Sequence, residues 1–158
     1  MKLLIKQRVF AWSDTYDVYD QFGEPKYFVK AEVFSFGHVL HIYNHATGEE
    51  VGEIREKLFK FLPTAQISVK GRILGTIRKE FTFFVPKFTI DYNGWQVEGD
   101  FLGWEYSVTS GAGTVASISK VFFTFGDTYE ISIYDPKDEL DVLMTVITID
   151  MINCSHND

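Results

Sequence analysis

Two groups of side chains in this sequence have types and spacings that could do chemistry. His38, His41 and His45 form an H-x2-H-x3-H array, and Lys57, Lys60, Arg72, Arg78 and Lys79 crowd the middle of the chain. Imidazoles in a group are metal ligands or proton carriers, whereas ammonium and guanidinium groups together bind phosphate. On a strand, successive side chains point to opposite faces, so His41 and His45 would share a face and His38 would point away. A zinc site needs three or four convergent ligands, and no cysteine lies near enough in sequence to complete one. The histidines are therefore expected to be exposed and to hold no metal.

The basic group is the sharper lead. Between Arg55 and Lys87 eight basic residues stand against two acidic ones, in a chain whose net charge is −7. Solvated strand faces would account for such a run. If the side chains converge, however, they suit a phosphorylated headgroup. Lys57, Lys60, Arg72, Arg78 and Lys79 are the candidate ligand-binding residues on this reading.

Catalysis finds less support. Glu49-Glu50 and Asp138-Glu139 are adjacent carboxylates in turn or capping contexts, where they cannot face each other across a substrate. The sequence has no G-x-S-x-G, no phosphate-binding glycine loop and no dinucleotide fingerprint. Ser110 to Thr114 looks like an anion nest, but no helix follows it. Cys154, the only cysteine, has no basic neighbour to lower its pKa and permits no intramolecular disulfide, which fits a reducing compartment. No catalytic residue and no cofactor are assigned, and the expectation is a protein that is not an enzyme.

The elements that would position these residues come from a repeat. A Phe-x-aromatic pair, a short turn and an alternating run recur six times, led by Phe10, Phe34, Phe59, Phe81, Phe101 and Phe123 at spacings of 24, 25, 22, 20 and 22. QRVFAWSDTYDVYD near the start returns as KVFFTFGDTYEISIYD near the end. Each unit reads as a β-hairpin, because its flanks alternate with period two and turn residues such as Asn93-Gly94 separate the units. About twelve antiparallel strands in one sheet must close to manage their edges. The aromatic pairs, Phe10, Trp12, Phe34, Phe36, Phe59, Phe81 and Phe123 among them, are expected to be core layers of that barrel, not a stacking platform for nucleic acid.

The segment after Tyr134 changes period. Asp135 can cap a helix, Pro136 suits its first position, and Asp138 and Glu139 favour the positive end of its dipole. Leu140, Leu143, Met144, Ile147 and Met151 follow helical spacing, while Val142, Val146 and Ile149 fill the opposite face. A helix apolar on all sides must be buried or in a membrane, and this one is too short to span a bilayer. Residues 1–158 thus read as a single mainly β domain: a closed antiparallel barrel of about twelve strands around a central hydrophobic C-terminal helix.

KVFFTFGDTYEISI running into DELDVLMTVITIDMI, WQVEGDFLGWEYSV and VFAWSDTYDVYD together resemble the LURP-one-related proteins of plants and bacteria, over essentially the whole chain. The resemblance implies the barrel of the tubby C-terminal domains, some of which bind phosphoinositide headgroups through basic surface side chains. It brings no motif by which those residues carry over one by one. The function expected is an interaction domain, with an anionic lipid headgroup as its ligand. A regulatory protein–protein module and a scramblase-like membrane-associated protein are the alternatives. No nucleic-acid partner and no transmembrane span are expected. MKLLIKQRVFAW lacks the apolar core of a signal peptide, since Lys6 and Arg8 interrupt it. A cytoplasmic location is expected, with a peripheral place at the membrane as the variant of it.

Overall fold

Alternation of inward and outward side chains becomes twelve antiparallel strands in the computed structural model, which describes residues 1–6, 15–34, 37–58, 60–81, 86–123 and 126–155. The strands are β1 (Lys2–Lys6), β2 (Thr15–Asp20), β3 (Pro25–Phe34), β4 (Gly37–Asn44), β5 (Glu50–Lys57), β6 (Thr64–Val69), β7 (Arg72–Phe81), β8 (Pro86–Ile90), β9 (Gln96–Asp100), β10 (Glu105–Ser110), β11 (Gly113–Phe123) and β12 (Gly126–Ile133). Each pairs with the next in sequence, and β1 closes the ring on β12 from Lys2↔Ser132 to Lys6↔Thr128. Closure leaves no edge for another chain to extend. The thinnest seam is β8 to β9, where Thr89↔Gln96 is the one registered pair. There Asn93 uses its side-chain oxygen to accept from the Trp95 amide at 3.0 Å.

The meander gives the barrel two ends. The connections β1–β2, β3–β4, β5–β6, β7–β8, β9–β10 and β11–β12 all lie at one end, here called the rim. The other connections lie at the base, where the chain leaves β12. A 3₁₀ turn over Pro136–Asp138 follows, capped by Asp135, whose carboxylate accepts from the Lys137 amide at 3.1 Å. Helix α1 (Glu139–Ser155) then runs from base to rim through the barrel. Its start is fixed to β3: the Tyr27 hydroxyl donates to Glu139 Oε2 at 2.7 Å, and Lys26 pairs with the other carboxylate oxygen. Its far end reaches β7, where Lys79 Nζ donates to Asn153 Oδ1 at 3.2 Å.

Val142, Leu143, Met144, Val146, Ile147, Ile149, Met151 and Ile152 are all buried, so every face of α1 meets the barrel wall. Thr145 and Thr148 turn their hydroxyls back onto the Asp141 and Met144 carbonyls, which removes the cost of burying them. At Gly52 the wall approaches the helix so closely that a Cβ would sit 2.6 Å from Met144 Sδ. On the wall, Leu3, Val29, Leu40, Ile42, Ile54, Ile67, Ile77, Ile118 and Ile131 are buried on alternating positions, and Phe88, Phe101, Trp104, Tyr106 and Tyr129 join them in the same core. Among the described residues, no helix is long and apolar enough to cross a membrane.

Two of the aromatic residues expected in the core have described side chains, and they differ. Phe81, expected in the core, is 69% exposed, whereas Phe101 is buried. Phe10, Trp12, Phe36 and Phe59, and the side chains of Phe34 and Phe123, lie outside the described parts. Phe81 is the last residue of β7, beyond the buried Lys79 on the same face, so little of the barrel covers its ring.

Candidate functional site

The pleat separates the five basic candidates. Lys57 and Arg78 both pair in register with Thr64, on the strand between them, so all three project from the outer face in one row. Two strand spacings put the Lys57 and Arg78 backbones about 10 Å apart. Lys60 belongs to the β5–β6 connection beside that row and is exposed. Lys87, opposite Glu80 in the β7–β8 register, is exposed and adds a fourth cation to the half-buried Lys57 and the exposed Lys60 and Arg78.

Two of the five do not join them. Lys79 follows Arg78 by one residue and so points inward, where it is buried against α1 and its ammonium lies 5.5 Å from the Phe81 ring centroid. Burial lowers its pKa from the ordinary lysine value. Arg72 begins β7 at the base, roughly 20 Å along the strand from Arg78 at about 3.3 Å per residue. The charge on Arg78 is partly answered by Glu80, which accepts from its guanidinium at 2.7 and 3.2 Å. That hydrogen bond is the largest of the causes holding the Glu80 carboxyl below its ordinary pKa.

Beside these cations stand apolar side chains that the sequence reading placed in the core or passed over. Leu58 is 38% exposed, Phe61 fully exposed, Phe81 69% and Leu102 53%. They come from three consecutive rim hairpins, β5–β6, β7–β8 and β9–β10. In the last of these, Phe101 and Trp104 turn inward, the Trp104 ring tilted at 36° against Tyr129 with centroids 3.8 Å apart, while Leu102 projects. Trp104 takes φ of +58°, a left-handed backbone that large residues rarely adopt. The available signal was the repeat itself, which set the aromatics next to turns.

The histidines do not converge on one another. His41 lies between two carboxylates, with Nδ1 2.6 Å from Glu50 Oε1 and Nε2 3.2 Å from Glu32 Oε2. His38 faces the other side, 3.4 Å from Glu56. His45 lies past the end of β4, its ring edge-on to Phe28. His38 and His41 are half-buried in these contacts, which corrects the expectation of exposed imidazoles; only His45 fits it. Ligand atoms of His41, Glu50 and Glu53 lie within 4.8 Å of one another. Both ring nitrogens of His41 are already engaged, so the group forms a cross-strand polar network on β3, β4 and β5. A pocket of about 110 Å³ adjoins it, lined by Glu50, Gly52, Glu53, Ser68, Lys70 and Gly71.

Comparison with known proteins supports the architecture. A family model described as LURP-one-related matches residues 1–150. An uncharacterised protein of Bacillus subtilis (strain 168), YxjI, is 30% identical over 152 residues, covering 96% of this chain and 93% of that protein. A crystal structure of a protein from Arabidopsis thaliana superposes with a TM-score of 0.65 at 16% identity, covering 94% of this chain and 89% of that one. The last likeness concerns the fold alone.

Proposed function

The chain belongs to the LURP-one-related family, and from that premise we propose that it is a non-enzymatic docking domain for anionic phospholipid headgroups. One observation carries the reading: Lys57, Lys60, Arg78 and Lys87 gather on one arc of the rim, with Glu80 the carboxylate in register among them. The Lys57 and Arg78 backbones stand about 10 Å apart across the sheet, two strand spacings with Thr64 between them. That spacing fits several headgroups of a membrane surface better than one phosphate held in a clamp. Each exposed cation near an anionic bilayer is worth about 1 kcal/mol, so three or four together outweigh the weak repulsion from acidic groups beyond a Debye length.

The test is sedimentation with phosphatidylserine-containing and pure phosphatidylcholine vesicles. Binding to the first alone, weakened by salt and by the double substitution Lys57→Ala with Lys60→Ala, is the expected result. A wild-type protein that fails to sediment with anionic vesicles at low salt would remove this reading.

A further inference from the structure

Within that headgroup reading, we propose a docking pose: the barrel binds end-on, with the rim hairpins carrying Leu58, Phe61, Phe81 and Leu102 inserted into the interfacial layer of the anionic bilayer. Lys57, Lys60 and Lys87 then lie at the level of the phosphates. The proposal rests on how the apolar and charged side chains are arranged over the two ends.

The four apolar side chains sit on three neighbouring hairpin ends, separated by sheet and by the lysines between them. A rigid protein partner would have to offer a separate pocket for each. A fluid interface closes around each side chain without prior fit, and aromatic and apolar groups flanked by lysine are what that layer favours.

Exposure alone does not choose the rim, because the base also exposes Phe22, Ile73 and Tyr134. Charge chooses it. The base carries Asp20, Glu24, Glu49, Asp91, Asp135 and Asp138 against Lys26, Lys70, Arg72 and Lys137, whereas the rim arc from β5 to β8 sets Lys57, Lys60, Arg78 and Lys87 against Glu80, so an anionic surface favours the rim. The turn backbone sets the depth. Hairpin ends expose amide and carbonyl groups that the hydrocarbon core cannot satisfy, so insertion stops in the hydrated interfacial layer.

The experiment measures vesicle affinity for wild type, Phe61→Ser, Phe81→Ser and the base control Phe22→Ser. It adds fluorescence depth quenching of a probe attached at Phe61→Cys in a Cys154→Ser background. Loss of one inserted phenyl group is expected to weaken binding about tenfold, at high salt as well as low, with Phe22→Ser unchanged. Shallow lipid-borne quenchers should reach the probe and deep ones should not. Anionic binding that persists with Phe61→Ser and Phe81→Ser at wild-type strength, and a probe that stays aqueous, would overturn end-on insertion and leave the headgroup reading standing. Absence of any vesicle binding would overturn both. Concentration-dependent self-association by sedimentation velocity, abolished by Phe61→Ser, would make the rim a contact between copies and overturn the pose.

Discussion

The rim and the base of this barrel are made with one device, turns between antiparallel neighbours, and yet they present different chemistry. At the base, acidic side chains surround the point where the helix enters, and Glu139 is held by Lys26 and Tyr27 of β3. At the rim, cations alternate with exposed Phe and Leu, and the helix ends on a buried lysine, Lys79. The base holds the helix with an ion pair and a phenol. The rim holds it with a cation taken out of water. The difference shows that a closed meander fixes which residues share an end but leaves each end free to take its own partner.

The helix joins the two ends, so its loss is the harshest test of the comparison. Truncation before Pro136 should abolish the cooperative unfolding transition, because the wall would then face a void that native packing density does not allow. Leu143→Ala or Ile147→Ala, each at a buried position, should cost about 2–5 kcal/mol in chemical denaturation. Truncated protein that still unfolds cooperatively would place the helix outside the folding core and separate the two ends.

The clamps at the two ends should answer alkaline pH with opposite signs. Tyr27 has its pKa raised above the ordinary tyrosine value of 10.0, chiefly by burial and then by its hydrogen bond to Glu139. The folded state therefore keeps the phenolic proton that the unfolded chain loses, and the stability Tyr27 contributes is complete below pH 10 and lost as pH rises past it. Lys79 is the reverse. Its pKa is lowered from 10.5 by burial, so the cost of burying the charge is present at neutral pH and relieved as pH rises toward 10.5. Tyr27→Phe should cost about 1 kcal/mol at neutral pH, with a deficit that shrinks above pH 10. Lys79→Met should gain stability at neutral pH, and the gain should shrink on approaching pH 10.5. Parallel pH profiles for the two variants would contradict the assigned environments.

The smallest effects belong to the exposed apolar groups. Phe61→Ser at the rim and Phe22→Ser at the base should each leave stability within about 0.5 kcal/mol of wild type. A larger loss for either would mean that the side chain packs against the barrel in solution.

Much of the architecture was legible because it rests on local periodicity. The period-two flanks around each turn gave six hairpins, and the change to helical spacing after Pro136 marked α1. Phe81 misled because alternation alone puts it on the same face as the buried Lys79, and its exposure comes from its place at the rim end of β7, whereas Phe88 is buried. The candidate cations were found as a segment but not as a site. Arg78 and Lys79 differ by one residue and point to opposite faces, and the register that aligns Lys57 with Arg78 through Thr64 is tertiary information. The carboxylate partners of His41 likewise come from neighbouring strands, which no local pattern announces.

The difference between the ends is tested most directly by two charge-reversal variants of equal net charge, compared for binding to phosphatidylserine-containing vesicles at low salt. Lys57→Glu with Lys60→Glu alters the rim, and Arg72→Glu with Lys137→Glu alters the base, all at positions away from the packed interior. The account predicts that the rim variant loses vesicle binding and the base variant keeps most of it. Equal loss in both variants, which share one net charge, would show that overall charge governs association and would contradict a docking end.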